Sequence, residues 1–298
     1  MPSIRSRIFY WLLKVQRSPF DPNRSIQQQR ASMENQATLA RMPPHVDVQP
    51  IAMGDLPAER LRPAGVNDDR AVLYLHGGGY TMGSCRTHRA LGARLAIASQ
   101  TPVLMIDYRL APEHPFPDAL EDALKAYRWL IEPGTPSGPI ALAGDSAGGG
   151  LVVAAAIALR DHGDRLPAAI ACMSPWADLA VKGESMVTRA RADPLIGRES
   201  SLLHAALYVA QHDPTLPLIS PVYADLRGLP PLLIQVGDCE VLLSDSLRLA
   251  ERARQAGVDA TLEVWDGMWH GWQAFAGFVP EARQVIDRVG AFIRKHLA

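Results

Sequence analysis

The sequence predicts an α/β protein: a mostly parallel central sheet with helices on both faces, and a helical cap made from two separated stretches of chain. Three observations carry that expectation. From residue 70 onward, short apolar runs alternate with helical patterns, the rhythm of a doubly wound sheet. The runs lack an apolar/polar alternation, as strands buried on both faces do. Residues 177–218 interrupt the rhythm with helix-like sequence and no strand candidate.

Composition narrows the field. With 48% apolar and 20% charged residues among 298, the chain reads as a soluble globular protein with a sizeable core. A net charge of −1 gives no footing for nucleic acid. Cys85, Cys172 and Cys239 are odd in number, widely spaced and without a CxxC pair, so free thiols in a reducing, cytoplasmic setting are expected. The apolar run Ile8 to Leu13 ends at Lys14. It is too short for a secretory signal or a membrane span, and no stable membrane insertion is expected. An amphipathic helix is the first reading. Surface contact with a membrane is the alternative, because Arg5, Arg7, Lys14 and Arg17 flank the apolar face.

In chain order, residues 1–44 are helical and polar up to Pro43-Pro44, and form the first part of the cap. "HVDVQPIAM" and "LPAERLRPA" read as two short strands of an antiparallel hairpin. Strands follow at 70–76, 101–108, 139–145, 169–175, 231–238 and 260–267. Helices are expected at 119–132, 149–162, 242–257 and 280–297. The domain division is then 45–176 with 219–298 as the sheet domain, and 177–218 as the cap insertion, placed like a lid over a site.

The stretch "ALAGDSAGGG" crowds small residues around Ser146, between an apolar strand and an apolar helix. Gly144-Asp145-Ser146-Ala147-Gly148 fits G-x-S-x-G, a sharp strand-to-helix turn that exposes a nucleophile, where larger neighbours would collide with strand or helix. A dinucleotide fingerprint needs G-x-G-x-x-G after an early strand, and a P-loop needs Gly-Lys-Ser/Thr; neither is present. Ala147 at the helix start supplies the first N–H for a developing oxyanion. "LYLHGGGYTMGS" places His76-Gly77-Gly78-Gly79-Tyr80 after a strand, the loop that adds further oxyanion donors, here Gly78 and Gly79. His76 is read as ordering that loop.

The base must follow the nucleophile in chain order. His162 closes a helix, His296 lies inside a charged helix near the C-terminus, and His204 and His212 lie in the cap. His270, in "WDGMWHGW", follows the last strand and is the candidate. For the acid, "VGDCEVLLSDS" offers Asp238 and Glu240 just past a strand end, where a carboxylate can orient an imidazole; the local pattern leaves both open. Asp245 belongs to the following helix. Asp193 lies in the cap insertion and follows no strand.

Together HGGGY, "DYRLAPEHPFPDAL", GDSAGG and GMWHG resemble the hormone-sensitive-lipase-like family of α/β-hydrolase carboxylesterases, over residues 45–298. The resemblance implies the α/β-hydrolase fold and a split helical cap. Its acid position matches Glu240-Val241-Leu242, which gives that role to Glu240. The segment Tyr108 to Glu113 is expected to be structural, with a buried Arg109–Glu113 pair, and Asp145 a hydrogen-bonding support.

The expected chemistry is hydrolysis of short- to medium-chain carboxylic esters through an acyl-enzyme, with no metal or organic cofactor. An amidase or peptidase with the same triad is the alternative, followed by a non-catalytic ligand-binding protein of this fold. Tyr80, Met82, Trp176 and Leu203 are the substrate-pocket candidates, with Leu202, Trp269, Trp272 and Phe275 as further apolar neighbours. The resemblance also implies a homodimer through the last strand and helix.

Overall fold

The computed structural model describes residues 2–15, 23–37, 40–132 and 138–298. Eight strands form one sheet: β1 (Val46–Met53), β2 (Leu56–Pro63), β3 (Ala71–Leu75), β4 (Val103–Ile106), β5 (Ile140–Asp145), β6 (Ala169–Met173), β7 (Leu232–Gly237) and β8 (Ala260–Trp265). Their spatial order is β1-β2-β4-β3-β5-β6-β7-β8. The expected hairpin is β1 with β2, and it adds to the sheet through antiparallel pairing of β2 with β4; the pairs from β4 onward are parallel.

The lack of alternation in these strands has a direct cause. Leu73, Leu142, Ile170 and Leu232 point into one apolar layer, while their neighbours Val72, Ala141, Ala171 and Leu233 point into the other. On the first face lie α4 (Asp118–Ile131), α5 (Ala147–His162) and α8 (Leu243–Gln255). On the second lie α3 (Cys85–Ser99) and α9 (Pro280–Leu297). Helix α3 falls in a stretch where no helix was expected. Its start is nevertheless written in Ser84 and Thr87, which cap each other's backbone N–H groups.

Four α-helices remain among the described residues. They are α1 (Ile4–Val15), α2 (Ile26–Ala37), the short α6 (Ser185–Thr188) and α7 (Arg198–Val209). Residues 177–218 are thus only partly helical. Helix α1 is pinned by hydrogen bonds from Ser3 and Ser6 to Glu281 and from Tyr10 to the Ala192 carbonyl. Phe9 packs on Phe275 and Phe278. Arg17 lies outside the described residues.

Strand order places the site. The chain passes from β3 to β4 on one side and then to β5 on the other, so the loops leaving β3 and β5 diverge. A crevice opens there, at the carboxyl ends of the strands.

Candidate active site

One residue joins β5 to α5. Ser146 turns the chain at φ 52°, ψ −120°, a left-sided conformation that costs about 1–3 kcal/mol and persists only where the surroundings enforce it. The enforcement is visible. Its N–H donates to the Met173 carbonyl at 2.9 Å, and its carbonyl accepts from Trp176 at 2.8 Å. A Cβ on Gly148 would run into the Leu75 carbonyl, so helix and strand meet backbone to backbone. That close approach is why the sequence crowds small residues here.

His270 sits in the loop after β8 and Glu240 in the loop after β7. Ser146 Oγ lies 2.9 Å from His270 Nε2, and His270 Nδ1 lies 3.0 Å from Glu240 Oε2. The other carboxylate oxygen, Oε1, accepts from the Gly237 N–H and the Ser174 hydroxyl, each at 2.7 Å. All three side chains are buried. Burial opposes a charge on His270, but the hydrogen bond and charge of Glu240 outweigh it, and the imidazole pKa lies above its ordinary value. Asp238 turns elsewhere and accepts from the Gly267 N–H at 2.7 Å. Of the two carboxylates that the sequence left open, Glu240 is the one in contact with the imidazole.

The glycine loop after β3 is held from below. His76 is buried and stacks on Tyr108 with ring centroids 4.2 Å apart. Burial, reinforced by His88, pushes its pKa down to about 3, so it is neutral, and its carbonyl accepts from the Tyr108 hydroxyl at 2.8 Å. Asp145 accepts from the Gly77 N–H at 3.0 Å and from the Tyr74 hydroxyl, and its Oδ2 lies 3.5 Å from His88 Nε2. Gly78, at φ 122°, takes a conformation that suits glycine, and its carbonyl accepts from Thr81 and Met82. Gly78 and Gly79 both border cavities at Ser146. Ala147 opens α5, where an N–H has no partner inside the helix.

Two cavities meet at Ser146. One, about 180 Å³, is lined by Leu13, Met33, Leu91, Leu195 and Phe275 beside His270. The other, about 20 Å³, lies between Gly79, Trp176, Ile196, Ser201, His204 and Leu242. Trp176 is therefore where a pocket residue was expected. Tyr80, Met82 and Leu203 line neither cavity. Tyr80 instead stacks on Tyr208 in the core at 3.8 Å, and Met82 is fully buried beneath the loop. Helix α7 turns Ser200, Ser201 and His204 inward, leaving Leu203 half-buried and Leu202 40% exposed. Trp269 and Trp272 are core residues. The lining from α1, α2 and α3 escaped the sequence, because nothing in those segments ties them to the loops after the strands.

A further expectation needs correcting. Arg109 does not pair with Glu113. It grips Asp122 at 2.9 Å and Asp118 at 3.0 Å on α4, while Glu113 pairs with Arg30 of α2 at 2.7 Å. Arg109 is four residues from Glu113, but the intervening chain turns back on itself, with the His114 N–H bonded to the Leu110 carbonyl, and this aims the two side chains apart. Among the described residues, no group of three or more His, Cys, Asp or Glu side chains is arranged to hold a metal ion, and no helix is long and apolar enough to cross a membrane.

A family model described as alpha/beta hydrolase fold matches residues 72–274. An acetyl-hydrolase from Streptomyces hygroscopicus is 49% identical over 82% of this chain and 81% of its own. An esterase from Acinetobacter venetianus is 34% identical over 93% of this chain and 91% of its own. Among solved structures, an esterase from the bacterial hormone-sensitive lipase family superposes with a TM-score of 0.94 at 45% identity, covering 100% of both chains. The esterase EstE5, soaked with p-nitrophenyl butyrate, gives 0.93 at 42% identity, over 99% of both chains. The chain belongs to the hormone-sensitive-lipase-like family of α/β hydrolases.

Proposed function

We propose that the protein is a serine carboxylesterase that hydrolyses short- to medium-chain esters in the cytoplasm, with Ser146, His270 and Glu240 as its triad. The continuous contact from Ser146 Oγ through the His270 ring to Glu240, at 2.9 and 3.0 Å, is the observation that carries this reading. His270 takes the hydroxyl proton as Ser146 attacks the ester carbonyl, and Glu240 steadies the imidazolium that forms. The backbone N–H groups of Gly78, Gly79 and Ala147 receive the oxyanion, a contribution of about 3–4 kcal/mol per donor. His270 then protonates the departing alcohol, and water takes the same route to release the acid.

Size supports a modest substrate. The cavity beside His270, about 180 Å³, is smaller than the roughly 300–1,000 Å³ that holds drug-sized ligands, and its walls are largely apolar. The three free cysteines suit a reducing compartment.

The test is turnover of p-nitrophenyl esters from C2 to C16 by the native protein and Ser146→Ala. The expected result is hydrolysis that is best with short chains and falls at least about a thousandfold in the variant. Native protein inert on every ester, or a variant as active as native, contradicts the reading. The same preparations assayed on matched anilides separate ester from amide hydrolysis.

A further inference from the structure

Asp193 has no evident place in the sequence logic, because it lies in the cap insertion and follows no strand. In the structure it is buried beside the site. Its Oδ1 accepts from the Leu195 N–H at 3.0 Å and the Ile196 N–H at 3.3 Å, folding its own segment into a turn. Its Oδ2 crosses to the sheet domain and accepts from the Val241 N–H at 3.1 Å, one residue past Glu240.

We propose that Asp193 is a positioning residue for the reaction: from the cap it fixes the Glu240–Val241 peptide and adds a second negative charge to the surroundings of the His270 imidazole. This rests on the esterase reading.

A carboxylate that only folded its own turn would need no bond to the loop after β7. The Val241 bond instead ties the cap to the segment that carries Glu240. The charge acts on the base as well. Asp193 raises the His270 pKa, along with Glu240, and His270 in turn favours the ionised form of Asp193. Proton transfer from Ser146 leaves a cation on His270, so both carboxylates stabilise the state that is formed. The titratable groups facing Asp193 are Glu240 and Cys239 after β7, His270 after β8, and Tyr10 of α1. On its own segment, the Arg189 carbonyl accepts the Asp193 N–H. Burial, and next to it the charge on Glu240, push the Asp193 carboxyl up to about 6. It is therefore mostly ionised at neutral pH.

Asp193→Asn keeps the size and an acceptor oxygen while removing the charge. The expected result is kcat lowered about tenfold, the equivalent of one pKa unit, with KM within about twofold. The acid limb of kcat/KM should move to lower pH, because His270 loses a charge that raises its pKa. A purely structural role would lower the melting temperature and leave the acid limb in place, and that outcome overturns the proposal. Should the variant not fold, the native protein serves: the His270 imidazole resonance, followed by NMR and assigned by its absence in His270→Gln, should show an inflection near pH 6 besides its own. A single inflection overturns the proposal. That titration needs no turnover, so it stands apart from any failure of the esterase reading, which native inactivity on all esters would reveal.

Discussion

At Ser146 a single residue changes strand into helix, and its conformation is set by neighbours that leave no space for side chains. Both the serine and His270 could be read from the sequence, because each is tied to a local signature: small residues at a strand end, and a glycine-bounded loop after the last strand. The acid could not be separated in the same way. Asp238 and Glu240 share one loop, and the choice depends on how the chain turns after Gly237. That turn aims Asp238 at the Gly267 N–H and Glu240 at the imidazole. The matching prediction is that Glu240→Ala lowers kcat by about 10⁴-fold, the loss seen when a triad acid is removed. Asp238→Asn should stay within several-fold of native; the reverse ranking would reassign the acid. The base also predicts a pH profile. Because the His270 pKa lies above its ordinary value, which is about 6.5, activity should fall with acidification around a midpoint above that value, and a kcat/KM titration reads it directly.

Among the elements, the strands were legible to within a residue or two; in β3 to β7, burial on both faces leaves a near-continuous apolar run. Helix α3 was not legible. Gly92 sits in its middle, and its buried face includes Cys85, His88 and Ser99, so the helical stripe is broken by residues that do not read as apolar. The orientation of α7 was equally hidden, since Ser200 and Ser201 look like a solvent face until the cavity is seen. Helix α8 carries a less obvious duty. Asp245 in its first turn accepts from the Ala177 and Asp178 N–H groups at 3.0 and 2.9 Å, at the point where the cap insertion leaves the sheet domain. Burial, and then the charge on Asp178, push the Asp245 carboxyl up to about 8. The folded state thus holds this proton more tightly than an unfolded aspartate with a pKa of about 3.9, and stability is lost as pH rises between those two values. Asp245→Asn keeps an acceptor and cannot ionise. Its melting temperature relative to native should therefore increase steadily from pH 5 to pH 8. A constant difference across that range would refute the assignment.

For the whole molecule, strand order decides where chemistry can occur. Reversal between β3 and β5 opens the crevice, the glycine loop and Ser146 line it, and the loops after β7 and β8 bring Glu240 and His270, the proposed acid and base, from the far side. Each contributor lies at the carboxyl end of a strand, which is why motif order and predicted strands point to the same candidate site as the geometry. Its walls come from α1, α2, α3 and the cap insertion, segments whose docking depends on long-range packing that no local pattern encodes. The sheet ends at β8, an edge strand with Val264 47% exposed and with Arg288 of α9 over Trp265. We expect two copies to join there, as unpaired edges invite; light scattering over a concentration series should give twice 32.4 kDa, and the monomer mass throughout would rule the dimer out. Everything proposed for the reaction depends on Ser146 itself forming the acyl-enzyme. Labelling with a fluorophosphonate, followed by peptide mapping and residual activity, tests it most directly. One label per chain is expected, on the peptide carrying Ser146, with activity lost in proportion; label on another residue, or full activity after Ser146 is modified, would remove Ser146 as the nucleophile.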